Sequence, residues 1–208
     1  MSKPAVVLQF STKLEAQPYI DALHLSLVQQ KPFSLFFGDS SLYILISGIG
    51  ITRAAIAATY AYTTLNADTI INIGAAGALR KSLALGQIAT VHTIYDTSRF
   101  NLVTEKPFYY ALTPFGNLPS LCCVSVIMPL RTADMRNQYS PLADIVDMEL
   151  AGIAHTAQKF AKKCFCIKYI SDTNAHNTHE SIIANIKELA TETSLEILKC
   201  IHYDNDII

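Results

Sequence analysis

The stretch from Ile145 to Asp172 constrains the fold more than any other part of this chain. Two short apolar runs, Ile145-Val146-Asp147-Met148-Glu149 and Lys168-Tyr169-Ile170-Ser171-Asp172, each end on a carboxylate. Between them, Ala151 to Phe160 carries apolar residues at helical spacing, so the unit reads strand, helix, strand. A crossover of this kind joins parallel strands in a right-handed sense. The residues just past both carboxyl ends then share one edge of the sheet, where open α/β folds bind ligands. Glu149 and Asp172 are therefore expected to face one crevice.

The same alternation extends through the chain. Ala5 to Leu8 reads as a buried strand, followed by a helix from Lys13 to Gln29 and strands at Phe33 to Phe37 and Leu42 to Ile46. Ser47-Gly48-Ile49-Gly50 turns into the alanine-rich helix Thr52 to Leu65, and the strand Thr69 to Ile73 leads into a second glycine turn, Gly74-Ala75-Ala76-Gly77. The strand Ile88 to Tyr95 opens onto a polar, proline-bearing excursion from Asp96 to Pro119, with a short strand near Tyr109. Leu121 to Met128 is an apolar strand stopped by Pro129, Thr132 to Tyr139 is helical, and Asn177 or Thr178 caps a final helix to about His202. No repeat or linker divides residues 1–208, which are expected to form a single domain. Near-continuous apolar strands alternating with helices predict an α/β fold, a three-layer αβα sandwich with a central mixed, mostly parallel sheet.

Composition narrows the ligand. With 208 residues, 50% of them hydrophobic and 16% charged, the chain has ample material for a core. A net charge of -1 from 16 basic and 17 acidic side chains, with no run of like charge, leaves no electrostatic footprint for nucleic acid or an anionic membrane. A small neutral or mildly charged molecule fits better. Cys122, Cys123, Cys164, Cys166 and Cys200 read as reduced thiols, mostly in apolar strands, and Cys164-Phe165-Cys166 lacks the gap of a zinc or redox pair. Neither metal nor cofactor is expected. Met1-Ser2-Lys3-Pro4 precedes too short an apolar run for a signal peptide, and no stretch approaches the roughly 20 apolar residues that span a bilayer, so a cytoplasmic protein is expected.

Taken one at a time, the motifs have ordinary readings. Gly48 and Gly50 fail the dinucleotide fingerprint because Arg53 stands at its third glycine. Glu149 alone is a first-turn helix carboxylate, and Asp172 alone is a turn residue. No Gly-x-Ser-x-Gly elbow occurs, and no pattern marks a nucleophilic cysteine with a histidine partner.

In combination, three blocks resemble the nucleoside phosphorylase and nucleosidase superfamily, most closely the methylthioadenosine/S-adenosylhomocysteine nucleosidases. They are Val6 to Ala16, Ser47 through Ile71-Asn72-Ile73-Gly74-Ala75-Ala76-Gly77-Ala78-Leu79, and Val146-Asp147-Met148-Glu149 through Ser171-Asp172. The resemblance implies a role for each matching residue. Glu149 would accept hydrogen bonds from the ribose hydroxyls while Met148 packs beneath the sugar. Asp172, next to Ser171, would be the acid facing the purine. Glu15 would orient and deprotonate the attacking water, with Ala76 and Gly77 lending backbone groups and Ile49 lying close to the ribose. The division suits the chemistry. Breaking an N-glycosidic bond builds positive charge on the sugar and negative charge on the base, which calls for an anion at one and an acid at the other.

Within that superfamily, hexameric phosphorylases carry phosphate-holding arginines where Glu15 and Asn72 stand here. An acid beside the anomeric carbon repels phosphate and suits water, so hydrolysis is expected over phosphorolysis. This chain departs from the nucleosidases at Ala75, Lys168 and Tyr95-Asp96. The segment 121–130 also lacks their adenine-facing phenylalanine, leaving Val126 and Ile127 nearest the base. An aspartate at 172 accepts from a 6-amino group, which favours methylthioadenosine, S-adenosylhomocysteine or 6-amino-6-deoxyfutalosine, the last in menaquinone biosynthesis. Lys168, Arg131 and Arg99 are candidates to meet a charged tail. The resemblance further implies a homodimer in which Thr93 to Tyr110 helps close the partner's site. The alternatives are a purine nucleoside phosphorylase and a catalytically inactive nucleoside-binding module.

Overall fold

The computed structural model describes residues 5–38 and 41–203, so the reading of Met1 to Pro4 lies outside the described residues. Its first half comprises β1 (Ala5–Phe10), α1 (Lys13–Ala22), β2 (Ser26–Gln29), β3 (Ser34–Phe37), β4 (Leu42–Ile46), α2 (Ile51–Thr63) and β5 (Ala67–Ala78). Then follow β6 (Ile88–Phe100), β7 (Pro107–Ala111), β8 (Ser120–Ser125), α3 (Ala133–Tyr139), β9 (Ile145–Asp147), α4 (Leu150–Phe160), β10 (Lys163–Asp172) and α5 (His179–Tyr203).

β1 shows why continuous apolar runs signal this architecture. Alternate residues point to opposite faces, and both faces are covered. Val6, Leu8 and Phe10 pack with Tyr19 and Ile20 of α1 and Ile197 and Ile201 of α5. Val7 packs with Ala54, Ala57 and Ala61 of α2 and Ile153 of α4. Helices thus flank both sides of a mixed, mostly parallel sheet. Its strands run β10-β6-β8-β9-β5-β1-β4-β3-β2, and β10 also pairs with β5, so five of the strands close into a ring. Among the described residues, no helix is long and apolar enough to cross a membrane.

Three local expectations are corrected. The first helix stops at Ala22 rather than Gln29, because His24 takes a left-handed φ of 52°. Its N–H and that of Leu25 bond back to Asp21 and Ile20, a Schellman closure without the usual glycine, and the chain reverses into β2. Gly74 to Gly77 is strand, not turn: β10 pairs with it from Lys168 against Gly74 to Asp172 against Gly77. The glycines serve clearance. A Cβ on Gly74 would lie 2.8 Å from Glu15 Oε1, and one on Gly77 would lie 2.7 Å from Asp172 Oδ2 and 3.0 Å from Val146 Cγ1.

The third correction concerns the crossover itself. β10 runs parallel to β5, but β9 meets the last two residues of β5 antiparallel, so α4 does not join parallel neighbours. The two carboxyl ends nevertheless converge, because Gly77 is the register partner of both Val146 and Asp172. The end of β5 is the shared edge.

Candidate active site

At that edge lies a cavity of about 440 Å³, lined among others by Glu15, Ile49, Ala76, Gly77, Val126, Met148, Glu149, Ser171 and Asp172. The volume is that of an ordinary small-molecule site. Ile127 does not join the wall and is 72% exposed. β8 ends at Ser125, and with Val126 turned inward the next side chain is left outside.

Glu15 owes its position to helix capping. Thr12 and Glu15 form a capping box at the start of α1: Thr12 Oγ1 accepts from the Glu15 N–H, and Glu15 Oε2 accepts from the Thr12 N–H at 3.0 Å. Oε2 also accepts from Thr12 Oγ1 at 2.7 Å and from Ser11 Oγ, while the Ala75 N–H donates to Oε1 at 3.1 Å. One oxygen is thus saturated by the cap, and Oε1 keeps acceptor capacity. Asn72 lies away from the cavity, with Nδ2 donating 3.1 Å to the Gln9 carbonyl, so only Glu15 carries the contrast with phosphate-binding arginines.

Glu149 stands at the N-cap position of α4, but its side chain does not cap that helix. Asp147 does, accepting from the Leu150 N–H at 2.9 Å. This frees Glu149 to reach across to α2, where its Oε1 accepts from the Gly50 N–H at 2.9 Å. Burial lifts the Glu149 carboxyl to about 7; the charge of Asp147 adds to the rise, and Lys168 and the Gly50 N–H oppose it.

Lys168 is buried, with Nζ 3.0 Å from Asp147 Oδ2, and is not available to a ligand tail. Burial alone would push its ammonium down, yet Asp147 leads the neighbouring charges that leave it raised. Arg99 is likewise engaged elsewhere, with Tyr110 and His155 and over the Phe108 ring. Of the three cations, Arg131 alone lines the cavity.

Asp172 closes the far wall. Ser171 Oγ donates to its Oδ1 at 2.7 Å, and Arg136 donates to its Oδ2. No sequence pattern announced Arg136, a lone basic residue on a short helix that contacts Asp172 only through tertiary folding. Ser11 and Thr12 were equally missed, although Thr-x-x-Glu is a legible capping signature. So was the α5 stripe of His179, Ile182, Ile183 and Ile186, whose spacing puts one helix face on the cavity. Outside the cavity, Cys122 Sγ does meet a histidine, 3.3 Å from His92 Nε2. Burial and then Asp144 raise that thiol, away from the reactive thiolate.

Comparisons with known proteins bear on the family and the fold. The family model described as the phosphorylase superfamily matches residues 7–116 and 122–202. A 5'-methylthioadenosine/S-adenosylhomocysteine nucleosidase of Staphylococcus carnosus is 25% identical, over 86% of this chain and 90% of its own length. Two solved folds from Helicobacter pylori superpose closely. A mutant nucleosidase with 5'-methylthioadenosine in its active site has a TM-score of 0.84 at 15% identity, covering 96% of this chain and 99% of the other. A futalosine hydrolase mutant has a TM-score of 0.83 at 17% identity, covering 97% and 99%.

Proposed function

The chain belongs to the phosphorylase superfamily, and from that premise we propose that it is an adenine nucleosidase, a hydrolase of N-glycosidic bonds acting as one domain over residues 1–208. The observation that carries this reading is the convergence of Glu15, Glu149 and Asp172 on one cavity whose shape is held by Gly74 and Gly77. The ribose lies over Met148, its hydroxyls donating to Glu149. Glu15 Oε1 takes the proton of the attacking water. Asp172 and Ser171 face the purine between Ala76, Gly77 and Val126. Two carboxylates near the sugar favour its cationic transition state and disfavour a phosphate nucleophile.

Leu14, Ile49, Ile182, Ile183 and Ile186 give the lining a large apolar share, which ranks methylthioadenosine ahead of S-adenosylhomocysteine and 6-amino-6-deoxyfutalosine as substrate. The enzyme needs no cofactor and works in the cytoplasm as a homodimer. The β6–β7 excursion supports the dimer, because its tip presents Leu102 at 96% and Val103 at 91% exposure.

The decisive experiment incubates the purified protein with the three adenine nucleosides, with and without phosphate, and assays free adenine. Release from methylthioadenosine without phosphate is expected. Release only with phosphate would make the protein a phosphorylase, and binding without release would make it an inactive module.

Glu149 adds a pH signature. Below about 7 its carboxyl is protonated and loses acceptor capacity; above, Oε2 and the remaining lone pair of Oε1 can accept from the ribose hydroxyls. The kcat/KM profile should therefore rise with pH through an ionisation near 7, and Glu149→Gln should remove that ionisation. A wild-type profile flat between pH ~5.5 and ~8.5 would refute the assignment.

A further inference from the structure

Arg136 is buried, yet it lines the cavity and its guanidinium has three partners, two of which, Leu130 and Asp172, line the cavity with it. Nε donates to the Leu130 carbonyl at 3.1 Å, one terminal nitrogen donates to the Ala78 carbonyl at 2.9 Å, and the other donates to Asp172 Oδ2. Gly77 makes room for this, since a Cβ there would lie 3.2 Å from the guanidinium as well as against Asp172. A guanidinium has donors only, so Asp172 Oδ2 must accept; Ser171 Oγ donates to Oδ1, so that oxygen accepts too. Every lone pair that Asp172 has left for the cavity is an acceptor. Through Leu130, the same arginine ties the segment behind Val126 to that carboxylate.

We propose that Arg136 is a positioning residue for base recognition: it holds Asp172 as a carboxylate acceptor that takes the 6-amino group of adenine and rejects a 6-oxo base. The proposal rests on the nucleosidase reading above. In the reaction the C1'–N9 bond breaks and its electron pair leaves with the purine. The water oxygen bonds to C1', and the water's proton goes to Glu15. A solvent proton passes through Asp172 to the imidazole edge of the base. Glu15 then releases the water's proton to solvent, Asp172 is again the partner of Arg136, and nucleoside plus water has become base plus free sugar.

The test compares wild type, Arg136→Met and Arg136→Lys. Two readouts are used: kcat/KM for 5'-methylthioadenosine against its 6-oxo counterpart 5'-methylthioinosine, and calorimetric binding of free adenine against hypoxanthine. The methionine variant is expected to shrink the preference for the 6-amino compounds by at least about tenfold in both ratios, the weight of a hydrogen bond to a charged group. Lysine keeps the charge without the fork and should shrink it only a few-fold. A folded methionine variant with wild-type ratios overturns the proposal. If that variant does not fold, unchanged ratios in Arg136→Lys overturn it. Wild type that binds adenine selectively but releases none from any nucleoside refutes the nucleosidase reading alone, and the binding ratios still decide the role of Arg136.

Discussion

Replacing Glu15 by glutamine is expected to cut adenine release about 10³-fold while changing KM by less than about threefold, because the loss falls on proton transfer in the transition state. The substitution is informative because of how the residue is held. Position N3 of a capping box accepts glutamine as readily as glutamate, so the bond from the Thr12 N–H survives and the helix start is preserved. The melting temperature should stay within a few degrees of wild type. What disappears is the base: an amide oxygen cannot take a proton from water. Steady-state adenine release measured beside thermal unfolding separates these effects. Turnover within tenfold of wild type would remove Glu15 from the mechanism.

Asp172→Asn is expected to lower turnover by about 10²-fold or more, and unlike the change at Glu15 it should also cost stability. The amide keeps one acceptor but surrenders the negative charge opposite a guanidinium that is almost wholly enclosed. An uncompensated buried charge of this kind costs about 3 kcal/mol, so a clear fall in melting temperature is predicted. A second substitution separates structure from chemistry. Adding Arg136→Met to Asp172→Asn removes the stranded charge and should restore part of the lost stability, but none of the lost turnover. Recovery of turnover in the double variant would mean that Asp172 acts by holding the fold rather than by meeting the base.

Much of this was legible in the linear pattern, for reasons that particular residues make plain. The near-continuous apolar runs of β1 and β5 announce strands covered on both faces, because burial on two sides tolerates a polar side chain only where it finds a partner, as Asn72 does at the Gln9 carbonyl. Glu149 and Asp172 were recognisable because each ends a short apolar run beside a helical segment, whereas Glu15 stood out only through its place in the Val6 to Ala16 block that resembles the nucleosidases. The failures share a cause. His24 closes the first helix in a conformation that sequence rules reserve for glycine, and Gly74 to Gly77 look like a turn although their purpose is to let two carboxylates approach a strand. Ile127 lies outside the cavity because Val126 before it is turned inward, and successive side chains at a strand's end point to opposite sides.

The sequence by itself determined most of the elements, and that Glu149 and Asp172 stand at the ends of two of them, since these follow from periodicity within a few residues. Only the tertiary structure decided how those acids are used. The double register at Gly77 brings β9 and β10 together in opposite directions, the capture of Lys168 by Asp147 withdraws a cation from the cavity, and Arg136 arrives at Asp172 from a distant helix. Each of these is a pairing between residues remote in sequence, set by the closure of the sheet and by the need of a buried charge for a partner. Neither leaves a periodic trace along the chain.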